Sequence, residues 1–136
     1  EASAVAYRQA HANWASRVAD EARFLAGLKP DLVLTNVSYL PLAGAAAAGI
    51  PALSLCSLNW ADLFAHFFGK ESWAKPIHTE MLAAYRSAQA FLRVTPGMAM
   101  GGIMSLAREK WAFTCNVVWS GVAATFWKEL LAASKP

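Results

Sequence analysis

Between Asp31 and Asp62 the chain carries no charged residue. A stretch of that length is expected to leave water, either into a bilayer or into the interior of a folded domain. The bilayer reading fails on the residues themselves. Pro41, Pro51, Asn36, Asn59, several serines and a Gly49-Ile50-Pro51 turn cut the run into pieces of strand and helix size. A second uncharged run lies between Lys110 and Lys128, with Trp111 and Trp127 at its ends like an interfacial belt. It includes Thr114, Asn116, Ser120, Gly121 and Thr125, so a membrane span is disfavoured there as well. The interior of an α/β domain is the reading that remains.

The pattern around the first run supports it. Tyr7, His11, Trp14, Val18, Ala22 and Leu25 recur at helical spacing, which predicts one long helix from Ala2 to Leu28, stopped by Gly27 and Pro30. Asp31 to Asn36 reads as a buried parallel strand, and the alanine-rich Leu42 to Ala48 as a helix entered through Pro41. Ala52 to Ser57 reads as a second buried strand. Trp60 to Phe68 follows as a short aromatic helix ended by Gly69. Pro76 to Gln89 predicts an amphipathic helix with Ile77, Met81, Leu82, Tyr85 and Ala88 on one face, and Ala90 to Thr95 a third strand. Beyond Pro96-Gly97 the pattern loosens, with a β-prone stretch at Trp111–Trp119 and a helical one at Gly121–Ala133. Alternating helices and strands predict an α/β fold: a three-layer, Rossmann-like partial domain whose short parallel sheet is flanked by helices. The expected division is 1–98 for that domain and 99–136 for a divergent segment, helical with one short strand candidate.

Composition narrows the function classes. The 136 residues are 57% hydrophobic and 15% charged, and 12 Lys and Arg against 9 Asp and Glu give a net charge of +3. The charges are scattered without a basic cluster, which argues against nucleic acid as a partner. Cys56 and Cys115 are too few for a disulfide framework and match no zinc spacing, and no metal site is expected. No HExxH, CxxC, GxSxG or P-loop pattern occurs. The Ala2–Leu28 stretch is charged and amphipathic rather than a cleavable leader, and the expected location is cytoplasmic. The mean hydropathy of +0.31, high for a small soluble chain, and the start at Glu1 lead to the expectation of a piece of a larger enzyme.

In open parallel sheets ligands bind outside the carboxyl ends of the strands. That rule selects Asn36, Ser38 and Tyr39 after the first strand, and Ser57, Asn59 and Trp60 after the second. Thr95-Pro96-Gly97 is a weaker extension. Each principal loop combines an amide, a hydroxyl and an aromatic ring, a mixture suited to a polyhydroxylated ligand. The competing reading is that Asn36, Ser38 and Asn59 only cap helices and satisfy turns. Asp62 and His66, four apart on one helix, read more readily as a surface pair than as a catalytic dyad. His11 and His78 have no acidic neighbour in the sequence that would indicate catalysis. Cys56 reads as a small buried hydrophobe.

Lys29-Pro30-Asp31-Leu32-Val33-Leu34, the small-residue segment Leu42–Gly49, and Ile50-Pro51-Ala52-Leu53-Ser54-Leu55 together resemble the second half of the N-terminal domain of GT-B glycosyltransferases. Cys56 to Asp62 and Met81 to Tyr85 resemble a bacterial branch of glycosyltransferase-like proteins. The resemblance covers about residues 1–98. It implies an acceptor-side domain, in which Asn36, Ser38, Tyr39, Ser57, Asn59 and Trp60 line the acceptor. The nucleotide-sugar donor would sit on a second domain, and no cofactor of the chain's own is implied. The expected function is then the acceptor-side portion of a glycosyltransferase, inactive as an isolated chain, with a small-molecule or glycan acceptor as partner. No catalytic base is identified by it. The alternative is a non-catalytic α/β ligand-binding or interaction module. Self-association through exposed apolar surface is expected of a piece of a larger enzyme, whose missing partner domain would otherwise cover it.

Overall fold

A computed structural model describes residues 2–94, 97–100, 103 and, as a backbone strand, 112–115. The elements run α1 (Ala2–Ala12), α2 (Trp14–Leu28), β1 (Val33–Thr35), α3 (Leu40–Ala47), β2 (Ala52–Cys56), α4 (Trp60–Phe68), α5 (Ala74–Arg86), β3 (Ala90–Val94) and β4 (Ala112–Cys115). The four strands form one sheet in the order β1-β2-β3-β4. Every neighbouring pair is parallel, with Val33 opposite Ala52, Leu53 opposite Ala90 and Phe91 opposite Ala112. The chain is therefore α/β, a short parallel sheet flanked by helices. The sheet continues past residue 98, because β4 supplies its fourth strand and occupies the start of the second uncharged run. The helical reading of Gly121–Ala133 lies outside the described residues. Among the described residues no helix is long and apolar enough to cross a membrane.

The expected single N-terminal helix is two. Asn13, at φ −119° and ψ 36°, leaves helical geometry and begins α2 without a side-chain cap. The stop also differs in detail. Gly27 stays inside α2, and Lys29 adopts the left-handed conformation at φ 51° with its N–H on the Leu25 carbonyl, 3.1 Å away. Pro30 accounts for the helix ending there, since the residue before a proline is kept out of the right-handed helical region. The end of α3 follows the pattern of a Schellman motif. Gly49 has φ +69°, the Ile50 N–H reaches the Ala45 carbonyl at 2.9 Å, and the Gly49 N–H reaches Ala46 at 3.2 Å. Glycine carries the positive φ there at no steric cost.

One core cluster joins Leu25 of α2, Leu42 and Ala45 of α3, Phe64 of α4 and Ile77, Met81 and Tyr85 of α5 to Ala52, Cys56 and Phe91 of the sheet. The described helices thus share one face of the sheet, as a monotonic strand order with right-handed crossovers demands. The other face is apolar as well: Leu53, Ala90 and Leu92 are buried there with Leu32 and Leu55 packed against them, while Leu34 of β1, beside Leu53, is 43% exposed. A sheet apolar on both faces has strands without a polar side, which is why the Asp31–Asp62 run lacks charges.

Candidate functional site

The loops after β1, β2 and β3 converge at the carboxyl end of the sheet. Asn36, Val37 and Ser38 form a tight three-residue turn in which the Ser38 N–H bonds the Asn36 carbonyl at 2.8 Å. Val37 is at φ 68°, in the left-handed region. For a β-branched residue this is a genuine outlier, and a three-residue turn of this sign is a strained conformation that surrounding contacts must hold in place. The Tyr85 hydroxyl of α5 holds it by donating to the Val37 carbonyl.

Tyr85 ties this turn to the next loop. Its oxygen accepts the Trp60 N–H at 3.1 Å. Trp60 is the first residue of α4, so its N–H has no partner within the helix. One hydroxyl therefore joins residues 37 and 60, and with them the two principal loops. The loop after β3 is drawn in as well, since the Met98 N–H reaches the Ser57 carbonyl at 2.7 Å. A Cβ on Gly97 would lie 2.6 Å from the carbonyl oxygens of both Ser57 and Val94. Both obstacles are backbone, so alanine at 97 forces the loops apart. Gly97→Ala is expected to cost about 1–3 kcal/mol in urea unfolding; an unchanged midpoint would contradict this packing.

The six residues expected to line the site divide by role. Asn36, Ser38 and Trp60 are exposed, Trp60 to 42%, while Tyr39 and Ser57 are half-buried. Asn59 is fully buried and caps α4: its Oδ1 accepts the Asp62 N–H at 2.7 Å and its Nδ2 donates to Asp62 Oδ2 at 2.9 Å. That bond takes Asp62 toward Asn59, and His66 instead sets its ring edge-on to Phe67 at 5.1 Å. Cys56 is buried, and burial pushes its thiol pKa up, opposed by the Ser54 hydroxyl and by Val37.

His11, which has no acidic neighbour in the sequence, acquires one in the fold. Its Nδ1 lies 2.7 Å from Glu80 Oε2 on α5, and its Nε2 lies 3.0 Å from the Tyr39 hydroxyl. The Trp14 and Tyr39 rings stack on the imidazole, with centroids 4.9 and 5.8 Å away. Neither partner could be found from spacing, because Glu80 is 69 residues distant and Tyr39 is 28.

Burial raises the pKa of each of the three tyrosines, that of Tyr39 to about 12. A phenol whose folded pKa is raised holds its proton longer in the folded state than in the unfolded one. Its contribution to stability is complete below about pH 10 and is lost as pH rises from there through the folded value. Ultraviolet titration is expected to show no tyrosinate below pH 10 and to show ionisation together with loss of the circular dichroism signal. Tyrosinate forming near pH 9–10 in a chain that stays folded would contradict the buried placements.

Comparison with protein-family models, with curated proteins and with solved structures finds no match to this chain.

Proposed function

We propose that the crevice outside the carboxyl ends of β1, β2 and β3 binds a polyhydroxylated small molecule and is the acceptor side of a glycosyltransferase that uses a nucleotide-sugar donor. The observation that carries this reading is the Tyr85 hydroxyl, which gathers the Val37 turn and the start of α4 into one surface. On that surface Asn36 and Ser38 offer donors and acceptors, and the exposed Trp60 ring offers a flat apolar face. The strained Val37 turn adds support, because such backbone conformations cluster at ligand sites. The loops Asn36–Tyr39 and Ser57–Trp60 contain no Lys or Arg, so they supply no countercharge for a diphosphate. A neutral acceptor fits them better than the donor does.

A second reading has its own support. The Asn59 amide and the Ser57 carbonyl are spent on the loops' own bonds, as in a binding module without catalysis. Both readings are tested by screening the chain against neutral oligosaccharides and nucleotide sugars by calorimetry. Acceptor-side function predicts binding of a neutral saccharide that is lost in Trp60→Ala, with no comparable nucleotide-sugar binding. Tight nucleotide-sugar binding, or saccharide binding indifferent to Trp60, contradicts it.

A further inference from the structure

His11 is 8% exposed and lies between two oxygens. An ionised Glu80 carboxylate can only accept, so the His11 Nδ1 is the donor in that 2.7 Å contact. In the neutral ring Nε2 then carries the lone pair, and the Tyr39 hydroxyl donates to it. The hydroxyl proton of Tyr39 is thus directed inward, and among the described residues no donor reaches its oxygen lone pairs. The stacked Trp14 and Tyr39 rings fix the imidazole plane. The Glu80 side chain is 37% exposed, so the chain of contacts runs from solvent, through the buried ring, to the loop after β1.

We propose that Tyr39 is the proton-accepting hydroxyl of the strand-end crevice, with His11 and Glu80 as positioning residues behind it, and that its substrate carries an alcohol hydroxyl. This deepens the acceptor-side reading and rests on it. In the step, the substrate O–H bond breaks and its proton goes to the Tyr39 oxygen, while the proton of Tyr39 moves to His11 Nε2. The electron pair left on the substrate oxygen attacks the electrophilic carbon of a nucleotide sugar, whose nucleotide leaves with its bonding pair. The imidazolium formed faces the Glu80 carboxylate, and the surplus proton is afterwards released to water.

The charged and titratable groups around the pair are consistent with this order of events. Burial holds the Tyr39 hydroxyl up at about 12; Tyr7 and Glu80 push in the same direction and Arg17 of α2 opposes them. Tyr85 of α5 packs its ring against Tyr39 at 5.9 Å, and α3 carries no titratable side chain. No phenolate stands ready at neutral pH, so the proton of Tyr39 has to leave in the same step in which another arrives.

The test is labelling of the full chain at neutral pH with an aryl sulfonyl fluoride, mapped by peptide mass spectrometry. The reaction forms a bond from the Tyr39 oxygen to sulfur, breaks S–F, releases fluoride and passes the phenol proton to His11. Tyr39 is expected to react at least about tenfold faster than half-buried Tyr7, and Glu80→Gln is expected to slow it by about tenfold. Glutamine keeps the acceptor for Nδ1 but loses the charge that stabilises the imidazolium, and circular dichroism verifies that the variant is folded. Equal labelling of Tyr39 and Tyr7, or a Tyr39 rate unchanged in Glu80→Gln, overturns the proposal. Saccharide binding by a chain with inert Tyr39 defeats the relay alone. Fast Tyr39 labelling in a chain that binds no saccharide defeats the acceptor-side reading alone.

Discussion

Phe64→Ala is expected to lower the free energy of unfolding by about 3–5 kcal/mol. Phe64 is 1% exposed, and its ring lies 4.8, 5.3 and 5.9 Å from those of Tyr7, Phe68 and Trp73. These rings belong to α1, α4 and the connector to α5, so the cavity opens where three segments meet and none can collapse into it alone. The loss is a large fraction of the roughly 5–15 kcal/mol that holds a domain of this size folded. Phe67, three residues on and 70% exposed, provides the control. Phe67→Ala is expected to change stability by less than about 0.5 kcal/mol. Urea unfolding followed by circular dichroism measures both. Similar losses for the two variants would contradict the placement of the α4 faces.

Tyr85→Phe removes one oxygen and no packing volume, yet a loss of about 2–4 kcal/mol is expected. The Val37 carbonyl and the Trp60 N–H lose their partner together. Each unsatisfied group costs about 1–3 kcal/mol, and the sum is discounted because Trp60 is partly exposed to water. The effect differs in kind from that of Phe64→Ala. The core remains filled, while the strained turn at Val37 loses the hydroxyl that holds its carbonyl. Amide hydrogen exchange is therefore expected to accelerate most at residues 36–39 and 57–61, with smaller changes in β2 and α5. Acceleration spread evenly over the chain would mean that Tyr85 acts only as a core residue.

The elements were legible because the sequence punctuates them. Pro30, Gly49-Ile50-Pro51, Gly69 and Pro96-Gly97 bracket runs whose apolar spacing is either continuous or helical. Trp60–Phe68 is observed with the predicted bounds, and β2 ends one residue before the expected position; Thr95, the expected end of β3, lies outside the described residues. The break at Asn13 was not legible, since the apolar stripe runs through it. The cap at Lys29 was not legible either, because lysine does not announce a positive φ as glycine does.

The site was legible as loops and not as connections. A rule of sheet topology locates Asn36–Tyr39 and Ser57–Trp60, and their residue types indicate hydrogen bonding and stacking. What joins them is the far end of Tyr85, whose apolar ring placed it on the buried face of a helix. Its hydroxyl meets residues 25 and 48 positions away. The His11–Glu80 contact is hidden for the same reason. Pairings across a parallel α/β layer depend on how the helices stack, and no local spacing encodes that.

If the strand-end loops joined through Tyr85 form one ligand surface, residue-resolved NMR on the full chain with the best-binding neutral saccharide will show it. Chemical-shift changes are expected to concentrate at the amides of residues 36–39, 57–60 and 97–98 and at the Trp60 indole, all sharing one binding isotherm. Changes confined to the outer faces of α2 and α4, around the exposed Phe24, Leu28 and Phe67, would contradict it.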